Sequence, residues 1–415
     1  MQNTAKDIEM PDKNLEDKLD FPTVRDIDLA GKTVLLRADL NVPKHNSQIS
    51  DHTRIDRLKP TLDFLRENKA KTVVISHFGR PDGDRNPQMS LAFLTPVLEK
   101  RWEAPVTFAP DCIGDQTKDI IGRMKPGDVV LLENVRYYKE EEQNDPEFAK
   151  ALAGLGDLYV NDAFSAAHRA HASTEGITRH LPSAAGLLME EELNALSAAL
   201  VAPQRPVMAF TGGSKISTKL KVLNNLIPKV DFLVLGGAMA NTFLHAQGHN
   251  VGNSMCETEM ADEARKIMAF AQKSECEIIL PQDVVTVREL KENAEHNTVD
   301  VSAIPSDNSA IDLGERSIAY ICEKIKSCKT VLWNGPLGVF EIKPFDAGTN
   351  AVAKAVAEQT RKKLCTSVAG GGDTVAALEN AGVTEDFSYI STAGGAFLEW
   401  LEGKTLPGVQ ALLKK

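Results

Sequence analysis

Charged and polar side chains follow four short apolar runs in the first half of the sequence. They are Arg37, Asp39 and Asn41, then His77 and Arg80, then Asn134 and Arg136, and finally Asp162 with His168, Arg169 and His171. Cationic side chains bind carboxylates and phosphates through charge-assisted hydrogen bonds. The first half is therefore predicted to bind a small polyanion through its side chains.

Glycines follow the apolar runs of the second half instead. They occur in Gly212-Gly213-Ser214-Lys215, Gly236-Gly237, Asn334-Gly335-Pro336 and Gly370-Gly371-Gly372-Asp373-Thr374. Glycine allows the backbone to approach a ligand closely, and helix N-termini offer N–H donors to phosphates. The second half is therefore predicted to bind a nucleotide.

The apolar runs themselves are short and β-branched or Leu-rich, as expected of strands that are buried on both faces. Helical patterns lie between many of them, for example at 54–68, 260–274 and 349–360. This alternation predicts an α/β fold of two doubly wound domains, each with a mostly parallel sheet flanked by helices, joined by a hinge. Ligands of such sheets bind beyond the carboxyl ends of the strands. The predicted strands lie within 34–40, 72–78, 129–135, 158–164, 207–213, 232–238, 277–283, 330–336 and 367–373.

Composition limits the classes of protein to consider. A chain of 415 residues exceeds one ordinary core, so two domains are expected. The net charge of −11 argues against nucleic acid or an anionic membrane as a partner. No stretch is long and apolar enough to span a bilayer, and the acidic first 20 residues do not form a secretory signal. The six scattered cysteines favour reduced thiols in a cytoplasmic protein.

Each pattern has a structural explanation when it is taken alone. His168 and His171 could be solvated loop residues, and Arg136 could form a surface ion pair of little energetic value. The glycine run at 370–373 could be a plain turn. Their coincidence at the ends of predicted strands is what favours a functional interpretation.

At these strand ends the sequence resembles the phosphoglycerate kinases, from about residue 21 to the last residue. The segments that carry the resemblance are RADLNVP (37–43), SHFGRP (76–81), LENVR (132–136), HRAH (168–171), GGSK with TK (212–215 and 218–219), WNGP (333–336), GGGDT (370–374) and STAGG (391–395). In this order they are together highly specific.

The resemblance implies a role for each matching position. Its 3-phosphoglycerate site comprises Asp39, Asn41, Arg54, His77, Arg80, Arg136 and Arg169, and a basic patch is completed by Arg37, His168 and His171. Its nucleotide site comprises Lys219, Gly236, Gly237, Asn334, Glu341, Gly371, Gly372, Asp373 and Thr374, with Asp373 as the ligand of Mg²⁺ in Mg-ADP or Mg-ATP. Arg54 and Lys215 are the implied catalytic residues. A helix that began at Lys215 would place Lys215 and Lys219 on one face.

The implied enzyme is a phosphotransferase with a carboxyl group as acceptor, active in glycolysis and gluconeogenesis. It would move a phosphoryl group reversibly between 1,3-bisphosphoglycerate and ADP, giving 3-phosphoglycerate and ATP, by in-line transfer after domain closure. Both nucleophiles are anions at neutral pH, so that positioning and charge neutralisation suffice without a general base.

The resemblance also implies a monomeric cytoplasmic protein with a defined domain order. We expect an extension at 1–20 that could be disordered, a substrate domain at 21–188, a connecting helix at 189–203, a nucleotide-binding domain at 204–390, and a segment at 391–415 that returns to the first domain. Three features depart from the usual pattern, namely Ala393 and Ser165 at positions where glycine is usual, and the first 20 residues.

Proteins of other classes remain alternatives. A non-catalytic two-lobed anion-binding protein would not need Lys215, Lys219 and Asp373 together. A nicotinamide-linked dehydrogenase would need a dinucleotide fingerprint, which the sequence lacks. A metabolite kinase of another family is the closer alternative, and product analysis with 3-phosphoglycerate and ATP would distinguish it.

Overall fold

The structure, a computed structural model, describes residues 20–45 and 48–413. The extension predicted at 1–20 lies outside this range except for its last residue. The strands are β1 (Thr33–Arg37), β2 (Lys44–His45), β3 (Gln48–Ile49), β4 (Lys71–Ile75), β5 (Val106–Ala109), β6 (Val129–Leu132), β7 (Leu158–Asn161), β8 (Ser183–Ala185), β9 (Val207–Thr211), β10 (Phe232–Leu235), β11 (Glu277–Ile279), β12 (Asp283–Val287), β13 (His296–Asp300), β14 (Ser309–Leu313), β15 (Thr330–Asn334), β16 (Thr366–Gly370) and β17 (Tyr389–Ser391).

Helices separate most of these strands. They are α1 (Thr53–Glu67), α2 (Thr95–Trp102), α3 (Asp115–Gly122), α4 (Lys139–Glu142), α5 (Pro146–Ala153), α6 (Leu187–Leu200), α7 (Leu220–Leu226), α8 (Gly237–Ala246), α9 (Ala261–Lys273), α10 (Glu315–Ile325), α11 (Ala347–Arg361), α12 (Gly372–Ala381), α13 (Gly394–Leu401) and α14 (Pro407–Gln410). None of the helices in the described part of the chain is both long and apolar enough to cross a membrane.

The described residues form two compact units, and the division falls within α6. The first unit contains residues 20–194 and 405–413, and the second contains residues 195–404. Each unit is built on one six-stranded parallel sheet. The fold class predicted from the sequence is therefore confirmed.

The sheet of the first unit has the strand order β5-β6-β4-β1-β7-β8. Its central strand β1 is buried along its whole length. Val34 and Leu36 pack in a core with α1 and α2, whereas Leu35 packs on the opposite face with α5. Burial on both faces explains why the strand is a continuous apolar run.

The sheet of the second unit has the order β11-β10-β9-β15-β16-β17, with β9 and β15 at its centre. Met208, Phe210 and Trp333 pack in one core with residues of α10, α11 and α12. A separate antiparallel sheet in the order β13-β12-β14 lies in the same unit.

Each of the nine predicted runs contains a strand, and most of the polar or glycine residues follow the strands, but Arg37, Asn334 and Gly370 are the last residues of β1, β15 and β16. The run at 277–283 contains the end of one strand and the start of another, because Pro281 separates β11 from β12. The parallel strands β5, β8 and β17, which contain three or four residues each, were not predicted. The strand β13 was not predicted because its residues are mostly polar and exposed.

Candidate active site

The carboxyl end of β1 positions the first group of site residues. Asp39 and Asn41 follow β1, and Arg54 lies in the first turn of α1. Arg54 Nη1 lies 3.0 Å from Asp39 Oδ2 and donates to the Asn41 carbonyl oxygen at 2.7 Å. Ser165 Oγ also donates to Asp39 Oδ2. Three segments that are distant in sequence therefore converge on one carboxylate.

Neighbouring strands bring further polar residues to the same edge of the sheet. His77 follows β4, and Arg136 follows β6 in a short 3₁₀ turn. The side-chain oxygen of Asn41 accepts from Gly79 N at 3.0 Å, while Arg136 Nη1 donates to the Gly79 carbonyl at 3.0 Å. The Gly79 backbone thus links the loops that follow β1, β4 and β6.

Arg80 and Arg169 are both exposed. Within residues 20–45 and 48–413, neither guanidinium group has an ion-pair partner. Burial is the main cause that lowers the pKa of Arg136 and that of His171, and the charges of Arg80 and Arg169 add to these two shifts respectively. Both cations are therefore available to an anionic ligand.

Arg37, in contrast, is completely buried. Its Nε donates to Ser173 Oγ at 2.9 Å, its Nη2 contacts His77 Nδ1 at 3.0 Å, and its Nη1 donates to the Ala38 carbonyl. All three of these contacts of the guanidinium group are with buried atoms of the protein. The side chain of Arg37, which the resemblance assigns to the basic patch, therefore lies beneath the surface.

The histidines of this region are mostly uncharged. Burial lowers the pKa of His77 well below its usual range, and the charge of Arg37 lowers it further. Burial together with Arg136 and Arg37 lowers the pKa of His171 to about 4. The positive charge at this edge of the sheet therefore comes from arginines, whereas His77 and His171 are neutral at pH 7. His168 is half-buried in the same loop as His171.

Asp39 remains an anion among these arginines. Burial raises the pKa of its carboxyl, but Arg54, His77 and the hydrogen bonds from Ser165 and Asn41 N bring the net pKa below its usual range. Ser165, noted as a departure from the family pattern, thus contributes a hydrogen bond that a glycine could not make. This carboxylate can orient Arg54 and accept a hydrogen bond from a hydroxyl group.

In the second unit a cavity of about 1020 Å³ lies at the carboxyl ends of the strands. Eight of the nine proposed nucleotide-binding residues line it, together with Lys215. These are Lys219, Gly237, Asn334, Glu341, Gly371, Gly372, Asp373 and Thr374. Gly236 is not among the lining residues. A side chain at this position would come within 2.5 Å of Leu337 Cα, so that Gly236 allows the loop after β10 to pack against Leu337.

Two glycines allow the loops after β9 and β15 to cross in contact. A Cβ atom on Gly212 would lie 1.8 Å from the Pro336 carbonyl oxygen, and one on Gly335 would lie 2.4 Å from the Gly212 carbonyl oxygen. Gly335 also has a φ of +105°, which side chains disfavour. Gly335 N donates to Thr374 Oγ1 at 2.7 Å, and Asn334 Nδ2 donates to the Gly370 carbonyl at 2.8 Å. These bonds join the end of β15 to the end of β16 and to the first turn of α12 beside the cavity.

A helix does not begin at Lys215, because α7 begins only at Leu220. Glu257 holds the intervening segment as a turn, accepting from Ser217 N at 3.1 Å and from Ser217 Oγ at 2.6 Å. Lys215 is exposed, whereas Lys219 is half-buried and donates to Asn334 Oδ1. Burial lowers the pKa of Lys219, although Glu402 and Asp373 oppose this effect. The two lysines line one cavity from a loop and not from one helix face.

Asp373 is an exposed carboxylate in the first turn of α12. In the described part of the chain, no group of three or more His, Cys, Asp or Glu side chains could hold a metal ion. Protein-bound Mg²⁺ commonly uses one or two carboxylates and completes its coordination with water and substrate phosphates. A single carboxylate that lines this cavity fits a Mg²⁺ ion that arrives with a nucleotide.

Three buried polar residues near these sites were not identified from the sequence. Glu141 in α4 and Ser173 lie behind the basic cluster, and Asp312 in β14 lines the cavity of the second unit. Glu141 belongs to the acidic sequence Lys139–Glu142, which is typical of a solvated helix. No pattern in the sequence distinguishes the one buried carboxylate of this segment.

Asp312 is an isolated buried carboxyl group. Gly348 N donates to its Oδ2 at 2.8 Å, but Oδ1 has no hydrogen-bond partner among the described residues. Burial raises the pKa of Asp312 to about 7, and the charge of Asp346 adds to this shift. The carboxyl is therefore largely protonated at slightly acid pH.

Comparison with known proteins places this architecture in one family. The phosphoglycerate kinase family model matches residues 24–404. The phosphoglycerate kinase of Rhodospirillum centenum is 58% identical over 94% of this chain and 99% of its own length, and that of Methylorubrum populi is 56% identical over 95% and 99%.

Solved structures agree with these relatives. The phosphoglycerate kinase of Coxiella burnetii superposes with a TM-score of 0.88 at 42% identity, over 94% of this chain and 98% of that structure. The enzyme of Pyrococcus horikoshii superposes with a TM-score of 0.75 at 30% identity, with the same coverage. The family model, the sequence identity and the shared fold lead to one conclusion: the chain belongs to the phosphoglycerate kinase family.

Proposed function

We propose that this protein catalyses reversible, Mg²⁺-dependent phosphoryl transfer between 1,3-bisphosphoglycerate and ADP, forming 3-phosphoglycerate and ATP in glycolysis. The proposal rests on one observation: the two units of this chain, which belongs to the phosphoglycerate kinase family, offer chemically different binding surfaces. One unit has an arginine cluster at its strand ends, whereas the other has a glycine-lined cavity of about 1020 Å³.

The arginine cluster is the proposed site for 3-phosphoglycerate. The exposed cations Arg80 and Arg169 can bind its phosphate, because guanidinium groups form bidentate contacts with phosphate oxygens. The ionised Asp39 and the amide of Asn41 can orient the hydroxyl group. His77, Arg136 and Arg54 complete the proposed binding set.

The glycine-lined cavity is the proposed nucleotide site. Gly371 and Gly372 begin α12, whose N-terminal N–H groups can donate to phosphate oxygens. Lys219 supplies a positive charge beside Asn334, and Thr374 fixes the loop that follows β15. Gly236 and Gly237 are proposed to flank the adenine, and the exposed Glu341 is proposed to bind the ribose.

Asp373 is the proposed protein ligand of the nucleotide's Mg²⁺, which would neutralise part of the phosphate charge. The attacking oxygen is an anion in either direction, so neither direction requires a general base. The neutral states of His77 and His171 are compatible with this chemistry, since neither needs to exchange a proton.

Arg54 and Lys215 are the proposed catalytic cations. Each can neutralise charge on the phosphoryl group during transfer, which electrostatic catalysis requires. Closure of the two units around a hinge is proposed to align the reactants and to exclude water, which would otherwise hydrolyse the acyl phosphate. We further propose that the protein acts as a monomer in the cytoplasm.

A coupled assay with 3-phosphoglycerate and ATP tests the proposal. Formation of 1,3-bisphosphoglycerate should be detected through reduction by a dehydrogenase, should require Mg²⁺, and should stop on addition of a chelator. Product analysis should identify ADP in equal amount. Absence of the acyl phosphate under these conditions, or equal activity with another acid, would contradict the proposed function.

A further inference from the structure

We propose that Arg37 is a positioning residue that holds His77 as a neutral imidazole with its proton on Nε2, and that the buried pair Glu141 and Ser173 holds Arg37 in place. This inference rests on the proposed function, because it gives His77 a defined role as a hydrogen-bond donor to the acidic substrate. It concerns one connected chain of side chains in the first unit, from Glu141 through Ser173 and Arg37 to His77.

The contacts of Arg37 determine the tautomer of His77. Arg37 Nη2 lies 3.0 Å from His77 Nδ1. A guanidinium nitrogen can only donate, so His77 Nδ1 must accept and therefore carries no proton. The proton of the neutral ring then lies on Nε2, which becomes a donor. An N–H donor at this position suits an anionic oxygen of the substrate.

Glu141 supplies the buried countercharge for Arg37. Ser173 Oγ accepts from Arg37 Nε at 2.9 Å and donates to Glu141 Oε1 at 2.6 Å, so that the hydroxyl connects the two charges. Ser173 N donates to Glu141 Oε2 at 2.9 Å. Arg37, Ser173 and Glu141 are all completely buried, and a buried cation is costly unless it is paired.

The same residue also contacts the loop that carries His171, through its backbone carbonyl and its carboxylate. Ala172 N donates to the Glu141 carbonyl at 2.9 Å, and His171 Nδ1 lies 3.8 Å from Glu141 Oε1. One acidic residue therefore positions both Arg37 and the segment 171–173. Glu140, its exposed neighbour in α4, has no such contacts and provides a matched control.

The charged and titratable groups around His77 favour its neutral form. Burial opposes protonation of His77, as do Arg37 of β1 and Arg136, which follows β6, whereas the neighbouring His171 of the loop after β7 is itself neutral at pH 7. The carboxylate of Asp39 favours protonation. The imidazole is thus expected to be neutral at pH 7.

Nitrogen-15 NMR of histidine-labelled full-length protein, without substrates, tests the tautomer directly. The His77 signals, assigned with a His77→Gln variant, should show a protonated Nε2 and an unprotonated Nδ1 from pH 6 to pH 8. A proton on Nδ1, or titration of the ring near its ordinary value of 6.5, would overturn the proposal. This readout does not depend on activity, so it can fail or succeed separately from the proposed function.

Variants test the positioning role. Ser173→Ala and Glu141→Gln should shift the His77 signals toward a mixture of tautomers. They should also raise the KM for 3-phosphoglycerate about tenfold, as for loss of one hydrogen bond to a charged group, with a smaller change in kcat. Glu140→Gln should leave both unchanged.

A purely structural role would lower stability without changing the His77 spectrum or the KM. Unchanged spectra and KM in folded Ser173→Ala and Glu141→Gln would therefore overturn the role of this pair. If Glu141→Gln does not fold, Ser173→Ala decides the question, because it retains the buried carboxylate.

Discussion

Replacement of Asp312 by asparagine should stabilise the protein, and the gain should increase with pH. The carboxyl group is buried, its Oδ1 lacks a hydrogen-bond partner among the described residues, and its pKa is raised from 3.8 to about 7. Asparagine is isosteric, can still accept from Gly348 N, and carries no charge at any pH. The variant therefore removes the cost of ionising this group inside the protein.

The sign and size of this stability change follow from the difference in the pKa of Asp312 between the folded and unfolded states. The stabilising contribution of Asp312 is fully present below pH 3.8 and is lost as the pH rises through about 7. A shift of about three pKa units corresponds to about 4 kcal/mol, because each unit is worth about 1.4 kcal/mol. About 1.5 kcal/mol of this contribution to the free energy of unfolding is already lost at pH 5. Between pH 5 and pH 8.5, the free energy of unfolding of the variant should therefore rise by roughly a further 2 to 3 kcal/mol relative to that of wild type.

Urea unfolding at several pH values, followed by tryptophan fluorescence, measures this difference. Hydrogen exchange of the β14 and β15 amides assigns the transition to the second unit. Asp262→Asn is the matched control, because Asp262 lies in the same unit with its side chain 89% exposed. Its effect should stay within about 0.5 kcal/mol at every pH. If the difference in free energy of unfolding between Asp312→Asn and wild type were the same at pH 5 and pH 8.5, the reasoning would be refuted.

Four other residues give predictions about catalytic rate or ligand binding. Arg54→Ala should lower kcat by on the order of a hundredfold or more, the usual cost of losing one donor to the transition state, and a near-normal kcat would contradict its catalytic role. Titration calorimetry should show that Arg80→Ala weakens 3-phosphoglycerate binding but not ADP binding, whereas Asp373→Ala should weaken only Mg-nucleotide binding; swapped effects would refute the assignment of the sites. Lys215→Ala should depress kcat with little change in nucleotide KM and little change in Tm, because Lys215 is exposed. Normal kcat in folded Lys215→Ala would exclude it as the catalytic cation.

Much of the fold could be predicted because the central strands are buried on both faces. The apolar sequence of β1 has no other stable environment than a covered parallel sheet, and its polar continuation at Asp39 and Asn41 must then lie at the sheet edge. The same reasoning identified the glycine loops, where Gly212 and Gly335 are required by the crossing of two backbones. The strand β17 could not be predicted, because Tyr389 and Ile390 lie between two serines and do not form an apolar run.

The local conformation of Lys215 and the burial of Glu141 could not be predicted for a different reason. Both depend on a contact with a residue that is distant in sequence. Glu257 holds Ser217 in a turn 40 residues away, which prevents a helix from beginning at Lys215. Ser173 accounts for the burial of Glu141, although the sequence of α4 is as acidic as that of a solvated helix. Sequence patterns among neighbouring residues do not indicate such contacts between distant residues.

The first unit is also discontinuous in sequence, which has a consequence for biosynthesis. Residues 405–413 belong to it, and Gly408 N donates to the Ala167 carbonyl at 2.8 Å, while a Cβ atom on Gly408 would lie 2.9 Å from Ala167 Cα. A ribosome completes residues 20–194 first, then makes all of 195–404, and only then supplies the segment that covers the loop around Ala167. During this interval the loop that precedes His168 is without its partner. The nascent first unit therefore cannot reach its final packing before the second unit has been synthesised.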